Sequence, residues 1–378
     1  MLPIGLSNAA VALSAATDLA LALFLLFGPV SRRPDARVTI LRVALSALAV
    51  AAFVLAKMVA AKLFGRTWFF AVHLAYIDVM VLLPLIGGAL LAAAVRRRAT
   101  VSVGALGFSS FALVPIGIHS TFFAPYDLRV ETCRVPLARA REGVRPITIG
   151  VLSDLQLAEI GEHERTAVAR IMAAHPDLIL LPGDMMQVSA QQIPEMLPPL
   201  HALLAELSAP LGVYFVQGNC ESKSDARRFV EGTPVRFLDD DVVSLAIGDR
   251  RIELAGVDLA FKSPRAREAL ARVERAGDDG GVRILLAHRP DVIDAMPRDS
   301  RVDLIVCGHT HGGQVQIPFF GPPITLSNVP RAMAAGGLHE QDGKRIYVSR
   351  GVGWEHGDAP RVRFLCPPEV SLITLETR

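Results

Sequence analysis

The feature that most constrains this 378-residue chain is a set of five short apolar runs, each followed closely by a polar residue that could bind a metal. Short apolar runs bounded by turn residues are typical of buried strands. Sites in α/β proteins form beyond the carboxyl ends of the strands, so residues that follow these strands can share one rim. The pattern therefore predicts an α/β domain with a binding site at that rim. The runs are residues 147–152, 178–181, 213–216, 283–287 and 302–306.

The side chains that follow the first four runs are carboxylates, an amide and an imidazole. Asp154 follows the first run, Asp184 the second, Asn219 the third and His288 the fourth. Each residue alone has an ordinary explanation, such as capping a helix, shaping a turn or lying in the core. Their shared position instead favours one metal site, because such a mixed ligand set suits Mn²⁺, Fe or Zn²⁺.

The fifth run leads into the segment Gly308-His309-Thr310-His311-Gly312-Gly313-Gln314. Alternate residues that leave a strand point the same way, so His309 and His311 can face one point beyond the strand end. Neutral imidazoles that converge on one point are what a transition-metal ion requires. We therefore add these two histidines to the ligands predicted at the rim.

Residues 1–123 are almost entirely apolar, whereas the remainder has an ordinary globular composition. Four apolar stretches lie there, each about long enough to cross a bilayer, and short basic segments separate them. Buried core helices are the alternative, but four such stretches in a row without an amphipathic period favour transmembrane helices. The predicted helices are residues 9–30, 38–61, 69–94 and 101–123.

The chain is accordingly predicted to have three parts. Residues 1–124 form a membrane domain, and residues 125–146 form an arginine-rich connector with the alternation of an exposed strand. Residues 147–378 form the α/β domain. Within it, the pattern predicts helices near 162–174 and 195–208, and a hairpin over 242–257 with its turn at Gly248-Asp249.

The loop charges bear on the orientation of the membrane domain. Basic residues near 32–37 and 96–98 favour a cytoplasmic position for the first and third loops, which places the α/β domain outside the cytoplasm. Several arginines between 129 and 145 argue for the opposite orientation. Asp18, His73 and Asp78 lie at membrane depth, where they could line a polar path or pair locally; we favour local pairing and an anchoring role.

Two other classes of protein receive no support from composition. A net charge of +2 gives no electrostatic argument for a nucleic-acid partner. The four cysteines are scattered, which predicts neither a disulfide framework nor a structural zinc site.

Taken in order, these motifs resemble those of the calcineurin-like metallophosphoesterases. The family pattern is D-x-H, G-D, G-N-H-D/E, a lone His and G-H-x-H. The corresponding residues here are Asp154-Leu155-Gln156, Gly183-Asp184, Gly218-Asn219-Cys220-Glu221, His288 and Gly308-His309-Thr310-His311. The resemblance covers about 147–378. Together with the preceding helices, these motifs make the chain most similar to the membrane-associated YkuE-like branch and to transmembrane proteins with a metallophosphoesterase domain. It implies a four-layer α/β/β/α sandwich with two mixed sheets.

The resemblance also implies two divalent metal ions bridged by Asp184. One ion would take Asp154, Gln156 and His311, and the other would take Asn219, His288 and His309. Such ions, about 3.5–4 Å apart, could clamp a phosphoryl group and hold a hydroxide for in-line attack. Mn²⁺ is favoured, with Fe or Zn²⁺ as alternatives. The implied catalytic residues are Asp184, Asn219, Cys220 and His288.

Two positions depart from the family pattern, because Gln156 and Cys220 stand where the family has histidines. A glutamine carbonyl is a weaker neutral ligand and favours a harder ion such as Mn²⁺. A thiol is a poor replacement for an imidazolium, so we expect leaving groups that need little protonation, or a weakened enzyme. His163 or His356 could act as the acid instead, and Arg289 could bind a phosphate oxygen.

The implied function is that of a membrane-anchored phosphoesterase that hydrolyses a phosphodiester or pyrophosphate bond. Anchoring suggests a lipid-linked or nucleotide-lipid substrate, although a generic phosphodiesterase held at the membrane is the alternative. A catalytically weakened metal-binding or sensing module is a second class of function, and transport by the helices is a third. The resemblance implies the bacterial inner (plasma) membrane, and the loop charges favour an extracytoplasmic catalytic domain.

Overall fold

The computed structural model describes residues 36–63, 65, 67–95, 101–138, 143–275 and 280–377. These residues form two compact units. One unit contains the described residues up to Phe123 together with Glu355–Arg361. The other contains Ala124–Trp354 and the described residues from Val362 onward.

The first unit is helical. Its chain between Trp68 and Val95 stays helical throughout, with a π-helical turn at Asp78–Leu82. Thr67 caps this stretch, because its side chain accepts a 3.0 Å hydrogen bond from the backbone N–H of Phe70. The helices are α1 (Ala36–Leu63), α2 (Trp68–Ile77), α3 (Leu83–Val95), α4 (Val101–Phe111) and α5 (Leu113–Ile118), followed by a π-helical turn at His119–Phe123. The next turn, Ala124–Tyr126, begins the second unit.

Two helical stretches of the described residues, Trp68–Ala92 and Gly107–Tyr126, are long and apolar enough to cross a membrane. Core helices of soluble proteins share this length and composition. The predicted span over 38–61 lies within α1. The span over 9–30 lies outside the described residues, as do Asp18 and the arginines at 32, 33 and 96–98. The set of four spans therefore stays a prediction.

Helices α3 and α4 approach each other through glycines. A Cβ added at Gly87 would lie 2.6 Å from the carbonyl oxygen of Gly107, and a Cβ added at Gly107 would lie 2.6 Å from the carbonyl oxygen of Gly87. Only glycine at both positions allows this approach of the two backbones. Small residues at a helix crossing are typical of membrane helix pairs.

Two of the polar residues predicted at membrane depth, His73 and Asp78, have local partners within this unit. Lys57 Nζ lies 2.5 Å from Asp78 Oδ1, and the side chain of Asp78 is buried. His73 Nδ1 lies 3.0 Å from the carbonyl oxygen of Asp358. This arrangement is the local pairing that the sequence favoured over a polar path.

The second unit contains two mixed sheets of six strands each. The first sheet has the order β1-β12-β2-β3-β4-β5, and the second has the order β10-β11-β9-β8-β7-β6. The strands are β1 (Arg129–Leu137), β2 (Ile147–Val151), β3 (Leu178–Leu181), β4 (Val213–Phe215), β5 (Val235–Phe237), β6 (Asp241–Ile247), β7 (Arg250–Val257), β8 (Val282–Ala287), β9 (Leu304–Cys307), β10 (Gly337–Gln341), β11 (Lys344–Val348) and β12 (Glu369–Thr377).

The five strands predicted from apolar runs are all present, as β2, β3, β4, β8 and β9. β2, β3 and β4 pair in parallel, and so do β8 and β9. The predicted hairpin is confirmed as the antiparallel pair β6 and β7. Within the predicted connector, β1 pairs in parallel with β12, so this part of it belongs to the first sheet.

The two sheets face each other across an apolar core. Along β8, Ile284 and Leu286 point into the core between the sheets, whereas Leu285 and Ala287 point to the outer side. This is the two-residue period of a strand buried on both faces. Helices cover the outer faces, which confirms the predicted α/β/β/α sandwich. They are α6 (Glu162–Ala173), α7 (Ile193–Leu204), α8 (Lys223–Val230), α9 (Pro264–Arg275) and the short α10 (Arg331–Ala334).

Candidate metal centre

The loops that follow β2, β3, β4, β8 and β9 bring the predicted ligands together. Among the predicted ligands, two groups of side chains have ligand atoms within 4.8 Å of one another. The first group is Asp184, His288 and His309, and the second is Asp154, Asp184 and His311. Asp184 belongs to both groups, which is the geometry of a carboxylate shared between two neighbouring ions.

The first group converges on His288 Nε2. This atom lies 3.2 Å from His309 Nδ1 and 3.4 Å from Asp184 Oδ2. Asn219 Oδ1 lies 3.0 Å from the same nitrogen. The two imidazoles and the carboxylate are buried, whereas Asn219 is exposed at the edge of the group. The four side chains that the resemblance assigns to one ion are therefore adjacent.

Backbone carbonyls set the tautomers of these two histidines. His288 Nδ1 lies 2.7 Å from the carbonyl oxygen of Pro182, and His309 Nε2 lies 3.1 Å from that of Leu326. A carbonyl only accepts, so these nitrogens carry the protons of the neutral rings. The opposite nitrogens then turn their lone pairs into the site, as metal-binding histidines do.

His309 stays neutral at physiological pH. Burial, together with the neighbouring His288, lowers the pKa of His309 to about 4. Two lone pairs that face each other at 3.2 Å repel unless a cation lies between them. The pair is therefore suited to a shared metal ion.

The second group places a carboxylate opposite an imidazole. Asp154 Oδ1 lies 3.7 Å from His311 Nε2, and both side chains are buried. Asp154 also accepts hydrogen bonds from the Ser153 hydroxyl and from the backbone N–H of His309. These donors keep its carboxylate pointed at the site.

Gln156 is fully buried at the same rim, and it contacts the other residue that departs from the family pattern. Its amide Nε2 donates to Cys220 Sγ at 3.6 Å, which leaves Oε1 free of any hydrogen-bond partner. Asp184 Oδ2 is likewise buried without a hydrogen-bond donor. A buried oxygen without a donor carries a desolvation penalty that a metal ion would remove. The residues present thus fit divalent ions bound by oxygen and imidazole nitrogen.

The backbone around these ligands is unusual. Asp154, Gln156, Asp184, His309 and His311 all have positive φ angles, a region that residues other than glycine seldom adopt. Such strain persists where the surrounding structure enforces it, and it concentrates at functional sites.

The motif glycines are required by close contacts with the ligands. A Cβ at Gly218 would lie 2.1 Å from Asp184 Oδ1, and a Cβ at Gly308 would lie 2.2 Å from Asp154 Oδ2. No side chain fits at either position, so the glycines allow the loops to approach the two carboxylates.

Glu221 is a supporting residue that was not among the predicted site residues. Its buried carboxylate accepts hydrogen bonds from the backbone N–H groups of Gly218, Asp184 and Met185. Burial and the adjacent Asp184 raise its pKa well above the ordinary value. It ties the loop after β4 to the loop after β3. Its position at the end of the G-N-C-E segment was the only signal in the sequence.

Arg363 is a second supporting residue without a sequence signal. Its fully buried guanidinium donates to the carbonyl oxygens of Arg350 and His311, at 2.9 and 3.1 Å. Nη2 also lies 3.5 Å from His311 Nδ1. The guanidinium therefore holds the last loop of the chain behind His311.

The proposed substitutes for the family acid lie outside both ligand groups. His163 contacts the carbonyl oxygen of Val352 at 3.0 Å and packs against the rings of Tyr126 and Trp354. His356 belongs to the segment that clusters with the helical unit. Arg289 is exposed beside His288, and its charge contributes to the lowered pKa of His309. It is thus near enough to the site to attract an anion.

Comparison with known proteins identifies the family of the chain. A family model described as calcineurin-like phosphoesterase matches residues 147–313. Phosphodiesterase YaeI of Escherichia coli (strain K12) is 31% identical over 255 residues, which cover 65% of this chain and 88% of that protein. The chain belongs to the calcineurin-like phosphoesterase family. As a member of this family, it is a metal-dependent phosphoesterase.

Another relative of this phosphoesterase is the uncharacterized metallophosphoesterase YkuE of Bacillus subtilis (strain 168). It is 29% identical over 270 residues, which cover 68% of this chain and 89% of that protein. Among solved structures, the 5'-nucleotidase precursor of Thermus thermophilus aligns over 55% of this chain and 50% of that chain, with 16% identity and a TM-score of 0.39. The family assignment made from the motifs is confirmed, and the membrane-associated branch stays a prediction.

Proposed function

We propose that this chain is a membrane-anchored phosphoesterase that hydrolyses a phosphodiester or pyrophosphate bond of a lipid-linked or nucleotide-lipid substrate. The observation that carries the proposal is the pair of buried ligand groups that share Asp184. Gln156 Oε1 and Asp184 Oδ2 add buried acceptor atoms without donors to the same place. In a cluster of acids and histidines with a purely structural role, these atoms would accept hydrogen bonds from other groups of the protein.

The chain's own residues supply the binding and orientation. Asp154, Gln156, Asp184 and His311 would hold one ion, and Asp184, Asn219, His288 and His309 would hold the other. The ions would supply a nucleophile at neutral pH and neutralise charge on the phosphoryl group, and Mn²⁺ is favoured by the hard oxygen of Gln156. Arg289, which is exposed beside His288, would bind a phosphoryl oxygen at the edge of the site.

The position of Cys220 bears on the leaving group. Cys220 Sγ accepts from the Gln156 amide and lies 3.8 Å from Asn219 Nδ2, so the half-buried thiol adjoins two of the predicted ligands. A thiol is a poor general acid for an alkoxide, whereas a phosphate leaving group needs little protonation. This chemistry favours a pyrophosphate or another ester with an acidic leaving group.

The membrane part of the proposal is supported by the helical unit. Large apolar side chains on its helices are exposed, among them Leu55, Phe108 and Phe123. In water such a surface would be costly, whereas lipid would cover it. We extend the two candidate spans to four transmembrane helices in the inner membrane, with the phosphoesterase domain extracytoplasmic, because this arrangement fits the loop charges of the sequence.

The test is hydrolysis of bis(p-nitrophenyl) phosphate by the detergent-solubilised full chain with Mn²⁺. We expect Asp184→Asn to lower kcat by about 10³-fold, because it removes the charge shared by both ions. The substitution keeps an acceptor for the Cys220 N–H, which bonds Asp184 Oδ1 at 2.8 Å. Asp303→Asn is the matched control, since Asp303 is a buried carboxylate outside both ligand groups.

Equal activity in the wild type and Asp184→Asn would refute the phosphoesterase site. A second candidate function is a metal-binding or sensing module, favoured by the two departures Gln156 and Cys220 that contact each other. Metal bound by the wild type and lost in Asp184→Asn, with no turnover of any phosphodiester or pyrophosphate, would support that candidate instead.

A further inference from the structure

The loop after the candidate metal centre contains four consecutive exposed apolar residues, Ile317-Pro318-Phe319-Phe320. We call these residues the apolar tip. Phe319 is fully exposed, and Phe320 is 53% exposed. Leu326, further along the same loop, is 50% exposed. A run of exposed apolar residues is costly in water and is uncommon on a protein surface unless it has a function.

The backbone holds the apolar tip in this exposed position. Ile317 and Gly321 exchange backbone hydrogen bonds of 3.0 and 2.8 Å, which close a tight turn. Within the turn, Phe319 has a φ angle of 65°, a conformation that costs energy for a bulky residue. Strain and exposure thus fall on the same side chain. Neither is offset by a contact of the Phe319 ring within the described residues, so the tip is suited to an external apolar partner.

Both ends of this loop touch the metal centre. The loop begins directly after His311, and a Cβ at Gly313 would lie 2.4 Å from Cβ of Pro322. The loop returns to the site at Leu326, whose carbonyl oxygen lies 3.1 Å from His309 Nε2. Anything that binds the apolar tip is therefore coupled to the loop that orients a predicted ligand.

The charge of the segment favours a lipid surface as that partner. Residues 312–338 contain no aspartate or glutamate, and their only charged residue is Arg331. The Arg331 guanidinium lies 4.0 Å from the centre of the Phe320 ring. An arginine beside an aromatic side chain, in a segment that itself contains no acidic residue, is a combination suited to the headgroup level of an anionic bilayer.

We propose that the apolar tip inserts into the headgroup region of an anionic lipid bilayer and that Arg331 binds the lipid phosphates there. This docking would hold a lipid-borne phosphoester beside the metal centre. The inference rests on the proposed function, because it assumes a phosphoester substrate carried by the membrane.

The test places the photoreactive residue p-benzoylphenylalanine at position 319 of the full chain, in vesicles of phosphatidylethanolamine and phosphatidylglycerol. We expect lipid adducts of the protein after illumination, detected by mass spectrometry. The matched control has the same residue at Val144, which is also exposed in the same unit, and it should give no lipid adduct. Replacing phosphatidylglycerol by phosphatidylcholine should lower the adduct yield at 319 about fivefold, as expected for attraction of one arginine.

Absence of a lipid adduct at 319, or adducts only with protein, would overturn the inference. Adducts with a second copy of the chain would assign the tip to a protein contact.

Hydrolysis of bis(p-nitrophenyl) phosphate by Phe319→Ser reports separately on the proposed function, because this soluble substrate needs no docking. Hydrolysis without lipid adducts would refute the docking but not the phosphoesterase. Lipid adducts without hydrolysis would refute the phosphoesterase but not the docking. Release of the chain from vesicles by carbonate, with the adduct retained, would refute the transmembrane anchor alone.

Discussion

The two halves of the metal centre share Asp184 but are built differently. In the half formed by His288 and His309, each imidazole contacts a backbone carbonyl through its outer nitrogen, at 2.7 and 3.1 Å. In the half formed by Asp154 and His311, the outer nitrogen of His311 faces the Arg363 guanidinium at 3.5 Å. The remaining side chain predicted to bind the ion of this second half is the neutral amide of Gln156.

These differences predict unequal affinities. A carbonyl that accepts from a histidine fixes the ring and increases its basicity as a ligand, whereas a nearby cation decreases it. Glutamine is also a weaker ligand than the family's histidine. We therefore expect one ion bound tightly by the His288 and His309 half and a second bound more weakly by the half that contains Gln156.

The largest effect should separate the two halves directly. His288→Ala should weaken binding of the tight Mn²⁺ ion by about 10²-fold or more. His311→Ala should leave that ion in place and remove the weak one. Titration calorimetry of the metal-stripped chain measures both events. Equal losses of tight binding in the two variants would show that the halves are equivalent.

A second effect concerns the leaving group. Cys220→His restores the imidazole of the family pattern and should raise kcat about 10-fold to 10²-fold on phosphodiesters with alkyl leaving groups. On bis(p-nitrophenyl) phosphate the change should be small, because p-nitrophenolate leaves without a proton. Steady-state kinetics on both substrates measures the difference. Cys220→Ser is the control, and a similar gain on both substrates would argue against an acid role at this position.

A smaller effect is expected at Gln156. Gln156→Leu removes Oε1 at nearly constant volume, so it should weaken the second Mn²⁺ ion about tenfold while the tight ion is unchanged. Gln156→His should increase the affinity of the same half for Zn²⁺ relative to Mn²⁺. Competition titrations with the two metals report both changes. An unchanged second ion in Gln156→Leu would exclude this side chain as a ligand.

The smallest effect is a pH dependence of stability in the metal-stripped chain. The pKa of His309 falls from an ordinary 6.5 to about 4 in the folded state. Below pH 6.5 the unfolded chain takes up a proton that the folded chain does not, so stability present above that pH is lost as the pH falls towards 4. His309→Gln should reduce this loss of stability, measured as the melting temperature at each pH. If the melting temperatures of the wild type and His309→Gln fell equally with pH, the buried, neutral state of His309 would be contradicted.

The fold was predictable from the sequence where local pattern decides it. The apolar run at Leu178–Leu181 and its neighbours predicted strands, and Gly248-Asp249 marked the turn of the β6–β7 hairpin. The position of β12 between β1 and β2 had no local signal, because it joins segments far apart in the chain. Pairing over such distances depends on tertiary packing, which periodicity does not report.

The candidate site was predictable as a set of residues but not as a geometry. The strand ends and the motif spacing identified Asp154, Asp184 and His309 as neighbours. They did not indicate that Gln156 donates to Cys220, nor that Glu221 ties two loops together. Buried hydrogen bonds of this kind form between loops from different strands. The positive φ angles of the ligands were equally hidden, since none of these residues is glycine.

The most direct measurement of the central claim is the metal stoichiometry of the full chain, by elemental analysis after dialysis at high and low Mn²⁺. The structure predicts two ions per chain at high Mn²⁺ and one at low Mn²⁺, because Asp184 joins two unequal halves. Asp184→Asn should lose the second ion and bind the first more weakly, whereas Asp303→Asn should match the wild type. A folded wild-type chain that binds no metal at either concentration would contradict the account.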